Sequence, residues 1–387
     1  MTTVDRWQLP DGIEEVLPAQ AAAVESLRRQ LLDLYRSWGY QLVIPPLIEF
    51  TESLLIGLGS DVDLQTFKLT DQLTGRTLGI RADITPQVAR IDAHSLAEEG
   101  VTRLCYAGST LHTRPKGLMA SRSPIQLGAE LYGDNSLSAD LEVIALMLET
   151  LKVAGLENLS LDLGHTGVYK AVLGAAGLDE TNEAIVFDAL QRKSLPDLAL
   201  AVNDLAPESA ELIIALAGLH GDENVLDKAR TLFANTAPAA LAAVDALQEV
   251  ADHIGRRFPE LDIYFDLAEL RGYHYHTGIV FAAYVPGHGR ALANGGRYDD
   301  VGEVFGRARP ATGFNTDLKA LMGLLPLQQA AKGVINMPND ADPALLAYVN
   351  TLRAEGEIVI NCLSAEADSR CDRQLVNEQG DWVVKPL

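Results

Sequence analysis

The chain has 387 residues, a formal net charge of −22 and 48% hydrophobic residues, a length and composition that call for two or three packed units with a sizeable buried core. No apolar run approaches the ~20 residues of a membrane-crossing helix, the opening Thr3-Val4-Asp5-Arg6-Trp7 has no apolar signal core, and Cys105, Cys362 and Cys371 offer neither a disulfide framework nor a CxxC metal pair, so a cytoplasmic protein without membrane contact is expected. Nucleic-acid affinity rests on neutralising phosphates with Lys and Arg; 53 Asp and Glu against 31 Lys and Arg, with no concentrated basic patch, argue against RNA and keep the chain soluble.

In chain order, Val24, Leu27, Leu31, Leu34, Tyr35 and Trp38 recur at helical spacing, closed by Gly39. Leu42-Val43-Ile44 reads as a strand running into Pro45-Pro46. Residues 67–70 and 76–81 form a hairpin turned around 71–75. Thr85 followed by Pro86 is an N-cap with a first-turn proline and opens a helix to about Ala97. Strands are expected at 102–106 and 125–132, then a long helix over 140–153. From Tyr169 to Pro259 the composition turns to Ala, Leu and acidic residues at helical spacing, a helical insertion. Strands return at 263–267, 278–285 and 291–294, before a helix over 315–325. The tail alternates strand and helix patterns at 334–336, 345–352, 358–361 and 382–384. The fold expected is α+β: an antiparallel sheet flanked by helices, with a core split into 1–168 and 260–328, an insertion over 169–259 and a small α/β appendage over 329–387.

Gln126-Leu127-Gly128-Ala129-Glu130, with Arg81-Ala82-Asp83-Ile84-Thr85-Pro86, carries the functional signal. Alternate side chains of a strand share a face, so Gln126, Gly128 and Glu130 point one way while Ile125, Leu127, Ala129 and Leu131 enter the core. At a rise of ~3.3 Å per residue Gln126 and Glu130 stand about 13 Å apart, with Gly128 leaving open floor between them. Asp83 and Thr85 add polar groups beside a helix start. This is a pocket of amino-acid size for a small zwitterion. The run Tyr273-His274-Tyr275-His276 puts two histidines on one face of a strand, within range of a set with His288 or His165, but no cysteine or closely spaced carboxylate completes a zinc site. Neither a metal nor a cofactor is expected. Asn294-Gly295-Gly296-Arg297 is glycine-rich but lacks a lysine and phosphate-loop spacing, which fits close backbone approach to a ligand. Cys105 reads as a core residue.

Six stretches in this order resemble the class II aminoacyl-tRNA synthetases, and specifically the catalytic core of histidyl-tRNA synthetase: 40–46, 76–90, 106–130, Leu270-Arg271-Gly272-Tyr273-His274-Tyr275-His276, 294–299 and Asp317-Leu318-Lys319-Ala320-Leu321. They are similar to the dimer-forming strand, the arginine-proline-glutamate-glycine-threonine stretch with Asp83 in the glutamate slot, the second signature, the histidine-specific signature and the third signature with its approach. The departures matter as much. The second-signature arginine falls on His112, the glutamate that reads adenine falls on Arg114, and the third-signature arginine falls on Ala320. Amino-acid activation brings a carboxylate onto the α-phosphate of ATP, and fixed guanidinium groups offset that repulsion. Histidine lacks the bidentate fork and is only partly charged, and alanine has no charge. The residues after 328 are also too few for the family's anticodon-binding domain.

What the resemblance leaves is a histidine pocket: Asp83, Thr85, Gln126, Glu130, Arg271, Tyr275 and His276, the last standing where the family has a tyrosine. A chain that keeps the amino-acid-binding residues without the ATP-binding ones resembles the regulatory subunits of ATP phosphoribosyltransferase in histidine biosynthesis. That resemblance implies a non-catalytic dimer within a hetero-oligomer, expected as a hetero-octamer, that docks onto the short-form catalytic subunit, activates it and transmits feedback inhibition by histidine without tRNA. The competing reading is an enzyme, either a divergent histidyl-tRNA synthetase or another amino-acid-activating class II relative.

Overall fold

The computed structural model describes residues 7–55, 60–115, 117, 120–270, 272–273, 275–325, 333–363 and 368–387. The chain divides into two compact units, Met1–Pro326 and Leu327–Leu387.

The first unit is organised by a sheet with nine strands among the described residues, in the order Gln41–Leu42, Thr102–Ser109, Ile125–Tyr132, Ala311–Asp317, Ala293–Arg297, Ile279–Tyr284, Ser160–His165, Asp262–Asp266, His220–Gly221. Two neighbouring pairs run parallel, 41–42 with 102–109 and 160–165 with 262–266; the other pairs are antiparallel. Parallel neighbours need a long crossover, and for 160–165 and 262–266 the helical insertion supplies it. A second sheet pairs Ile48–Phe50, Thr77–Ile80 and Phe67–Thr70 in antiparallel fashion.

Both faces of the large sheet are covered. Leu127, Ala129 and Leu131 pack on one face with Val24, Leu27, Leu31 and Tyr35 of the helix Pro18–Ser37 and with Val143, Met147 and Leu151 of the helix Leu137–Val153. The heptad-like spacing of these positions turns one stripe of each helix inward, and Gly39, at φ +85°, ends the first helix. On the opposite face Leu104, Tyr106 and Tyr132 meet Ile84 and, from the helix beginning at Thr85, Val88 and Ala89, together with Tyr298. Between strands 160–165 and 262–266 run helices Thr166–Ala176, Glu180–Gln191, Leu195–Ala201, Pro207–Ala217, Asn224–Thr236 and Leu241–Arg257, and their buried Val168, Ile213, Phe233 and Leu247 continue the larger core. In the second unit the sheet order is Ile358–Asn361, Val334–Met337, Cys371–Glu378, Asp381–Pro386, with the helix Pro343–Ala354 burying Leu345, Val349 and Leu352 against Ile335, Val359 and Leu375.

Several expectations need correction. Ile84, not Thr85, occupies the cap position; Thr85 is the first helical residue, and its amide donates to Asp83 Oδ1 at 2.9 Å. That helix is α-helical only to Arg90, then widens into a π-type turn over Ile91–Leu96. The strand expected at 42–44 pairs only at Gln41–Leu42. The helix expected over 315–325 starts at Leu318; residues 311–317 are a central strand whose last residue, Asp317, caps the helix by accepting from the Lys319 amide at 3.0 Å. Strands 48–50, 160–165 and 371–378 add to those expected.

A buried ion pair ties the π-type turn to the approach of strand 311–317. Arg309 Nη1 lies 2.8 Å from Asp92 Oδ1 and also donates to the Glu98 carbonyl. Arg309→Ala leaves Asp92 buried without its cation, so unfolding free energy is expected to drop by about 3–5 kcal/mol, readable as a shifted urea midpoint.

Candidate functional site

Strand 125–132 lies between strands 102–109 and 311–317, and the register sets Glu130 beside Leu104 and Gly313, and Gly128 beside Tyr106 and Asn315. Gly313 makes room for a carboxylate: a Cβ there would stand 1.5 Å from Glu130 Oε2. The open floor expected at Gly128 is absent. Tyr106 fills it, and a Cβ at Gly128 would stand 2.4 Å from the Tyr106 hydroxyl.

Four of the expected residues join one hydrogen-bonded chain. Gln126 donates through Nε2 to Asp83 Oδ1 at 2.9 Å and accepts from the Ile84 amide at 2.9 Å, which holds the turn before the helix against the strand. The Thr85 and Tyr106 hydroxyls lie 3.1 Å apart, and Tyr106 donates to Glu130 Oε1 at 3.0 Å. Tyr298 donates to Glu130 Oε2, and its hydroxyl lies 3.3 Å from that of Tyr132. Tyr275 stacks on Tyr298 with ring centroids 4.9 Å apart, and its buried hydroxyl has no hydrogen-bond partner among the described residues. Strand alternation places Gln126 and Glu130 on one face; the structure adds that this face is itself interior, with Gln126 8% and Glu130 1% exposed.

Burial dominates the electrostatics. It pushes the Glu130 carboxyl up to about 8, with Asp83 adding to the rise and hydrogen bonds from Tyr298 and Tyr106 offsetting part of it. Among the described residues no ion pair reaches Glu130. A carboxyl in such a place ionises readily once a cationic or N–H-bearing group comes beside it. A nitrogen cation or N–H donor brought beside Glu130 would therefore find a carboxylate partner.

His276 sits to one side. Its Nδ1 donates to the Arg297 carbonyl at 3.2 Å, and its ring meets Tyr275 edge-on at 5.3 Å. It lines a separate cavity of about 100 Å³ with Asp162, Asp266, Glu269 and Asn294. Arg271 and His274 lie outside the described residues. No group of three metal-ligating side chains occurs among the described residues, and His165 instead accepts from the Gly167 amide at 3.0 Å. Cys105 is buried, and burial pushes its thiol up to about 12.

A wider cavity of about 600 Å³ adjoins Gln126 and is lined by His112, Asn315, Lys319 and Ala320. His112 Nε2 donates to the Ala82 carbonyl at 2.9 Å, bracing the backbone that carries Asp83. Lys319 Nζ is held by Glu14 at 2.5 Å and by Ser123 at 3.1 Å. Ala320 presents only a methyl group, and Arg114 is exposed. The residues that sequence reasoning missed are Tyr106, Tyr132 and Tyr298. Their signal is parity: Leu104 and Tyr106 share a strand face, as do Glu130 and Tyr132, so hydroxyls accumulate around one buried acid.

Comparisons with known proteins place the chain in a family. The family described as "Histidyl-tRNA synthetase" matches residues 12–321, and "ATP phosphoribosyltransferase subunit HisZ C-terminal domain" matches residues 332–385. An ATP phosphoribosyltransferase regulatory subunit from Thioalkalivibrio sulfidiphilus is 56% identical over the full length of both chains, and one from Pseudomonas syringae pv. tomato is 55% identical over the same extent. Among solved structures, an ATP phosphoribosyltransferase regulatory subunit/histidyl-tRNA synthetase from Bacillus halodurans is 27% identical, covers 94% of each chain and has a TM-score of 0.82. A histidyl-tRNA synthetase from Nostoc, at 19% identity with 98% and 97% coverage and a TM-score of 0.76, shares the fold. The chain belongs to the ATP phosphoribosyltransferase regulatory subunit family, and its residues 12–321 carry that family's histidyl-tRNA synthetase-like core.

Proposed function

We propose that this chain is a non-catalytic subunit that activates the short-form catalytic subunit of ATP phosphoribosyltransferase and senses histidine for feedback inhibition. Histidine would sit against Asp83, Thr85, Gln126, Glu130 and Tyr275, with Arg271 and His276 completing the set. The observation that carries this reading is Glu130: a fully buried acid held by two tyrosine hydroxyls, with no cationic partner among the described residues, beside the orphan hydroxyl of Tyr275. An orphaned hydroxyl such as that of Tyr275 costs about 1–3 kcal/mol, which a polar ligand offsets. Absence of catalysis is supported by the other cavity. His112 has one ring nitrogen committed to the Ala82 carbonyl, and Ala320 carries no charge; each missing electrostatic partner is worth roughly 3 kcal/mol of transition-state stabilisation.

The same reading makes the chain a dimer within a cytoplasmic hetero-octamer that needs no tRNA, with 169–259 and 329–387 as modules attached to the core. Dimer formation is supported by the sheet edge at Gln41–Leu42, where Ile44 is 82% exposed and Leu42, Leu47 and Ile48 are exposed beside it; apolar edges of this kind call for cover.

Amino-acid activation is the second reading, favoured by the synthetase-like core. Histidine-dependent exchange of pyrophosphate into ATP separates the two. The wild-type chain is expected to show saturable histidine binding by calorimetry and no exchange. The His112→Arg/Ala320→Arg double variant is the probe for residual synthetase geometry, with weak exchange as its expected outcome. Exchange by the wild-type chain would overturn the non-catalytic reading.

A further inference from the structure

The described residues between Asp266 and His276 have two working faces. On one, Tyr275 stacks on Tyr298 beside Glu130. On the other, Tyr273 is wedged into the helical insertion: its ring meets Tyr169 of helix Thr166–Ala176 edge-on at 4.9 Å and Phe187 of helix Glu180–Gln191 at 5.3 Å, while Lys170 Nζ lies 5.6 Å from its ring centroid. Tyr169 is fully buried. The start of the segment is tied to the same region, because Lys193, just past the second helix, pairs with Asp266.

The turn between the two faces is tight. Gly272 is at φ +66°, both the Tyr275 and His276 amides donate to its carbonyl at 2.8 Å, and a Cβ at Gly272 would stand 2.7 Å from the His276 ring. These bonds tie Tyr275 and His276 to the residue just before Tyr273, and packed aromatic contacts re-form in discrete arrangements rather than stretching.

We propose that Tyr273 couples the Glu130–Tyr275 cluster to the helical insertion, so that ligand occupancy there sets the packing of helices Thr166–Ala176 and Glu180–Gln191. This rests on the pocket's being a histidine site. It makes the insertion the element that reads the ligand out, and by reciprocity makes histidine affinity sensitive to anything that holds the insertion.

The test is hydrogen exchange over residues 166–191 of the full chain, with and without saturating L-histidine, alongside calorimetric titration of the same samples. In the wild type, histidine is expected to change exchange there by about fivefold or more. Tyr273→Phe, which keeps the ring, retains the change. Tyr273→Leu, which keeps apolar volume but loses the aromatic wedge, abolishes it while histidine still binds within about threefold of wild type, a range set by the direct contacts being untouched. Should Tyr273→Leu not fold, Phe187→Leu from the facing helix is the substitute with the same expected result. Histidine binding that leaves exchange at 166–191 unchanged in the wild type, or a change that survives in Tyr273→Leu, overturns the coupling and leaves the pocket assignment standing. Failure of histidine to bind at all overturns the assignment itself and the coupling with it.

Discussion

Glu130→Gln is expected to weaken histidine binding by about 10- to 150-fold, the equivalent of ~1.5–3 kcal/mol for a hydrogen bond to a charged group, while leaving the fold and docking on the catalytic subunit intact. Glutamine matches the carboxyl in shape and still accepts from a tyrosine hydroxyl. It cannot become an anion when a nitrogen cation or N–H donor arrives, and its own amide hydrogens face the donors Tyr106 and Tyr298. Titration of the isolated chain gives the loss directly. The histidine concentration that half-inhibits the assembled enzyme should move in the same direction, because effector and active site are linked through one assembly. A variant that binds histidine like the wild type would return Glu130 to the fold. So would one that no longer assembles, and Arg271→Ala answers to the same criterion.

Folding stability is expected to fall by about 2 kcal/mol between pH 6.5 and pH 8, at ~1.4 kcal/mol per pH unit for one proton, and then to level off. In the folded chain Glu130 keeps its proton up to about 8, whereas its ordinary value is 4.5. Between those values the folded state binds a proton that the unfolded state has lost, so this group's stabilisation is fully present below 4.5 and is lost as pH rises to 8. His165 works the other way at lower pH: burial lowers it from 6.5 to about 4, so the unfolded chain takes up a proton that the folded chain excludes, and stability rises with pH across that window. The two slopes offset each other below 6.5, leaving Glu130 to act alone above it. Urea unfolding across this range should show the decline in the wild type and a flat profile in Glu130→Gln. Constant or rising wild-type stability between pH 6.5 and 8 would contradict the buried, unpaired character assigned to Glu130.

The most legible part of the site is strand 125–132, whose bounds and alternation follow from side-chain parity. Gln126 and Glu130 do share a face with Tyr132, away from Leu127 and Ala129. Alternation could not reveal that the second face is interior too, because its cover comes from distant segments: Tyr106 one strand away, Tyr298 well over a hundred residues on, and the loop bearing Tyr275. The open floor at Gly128 failed for the same reason. A glycine signals close approach, but what approaches belongs to tertiary structure.

Strand 311–317 is hidden by a different effect. Ala-Thr-Gly-Phe-Asn-Thr-Asp is buried along most of its length on both sides, so it lacks the polar–apolar alternation of a half-exposed strand. The clear helical signal of Leu318, Leu321 and Met322 then draws the expected helix start back to Asn315. Thr85 shows how local capping rules yield to context. Threonine before proline is a good cap, yet Asp83 accepts the Thr85 amide and frees the threonine hydroxyl for Tyr106. The cap falls one residue earlier, and the hydroxyl thereby released lies in the candidate site.

The most direct measurement is the rate of phosphoribosyl transfer to ATP by a short-form catalytic subunit, taken alone, with this chain added, and with this chain plus histidine. The chain is expected to raise the rate, histidine then to lower it more effectively than in the catalytic subunit alone, and Glu130→Gln to keep the activation but lose most of the sensitivity. An unchanged rate and unchanged histidine response with a matched catalytic subunit would contradict the regulatory reading.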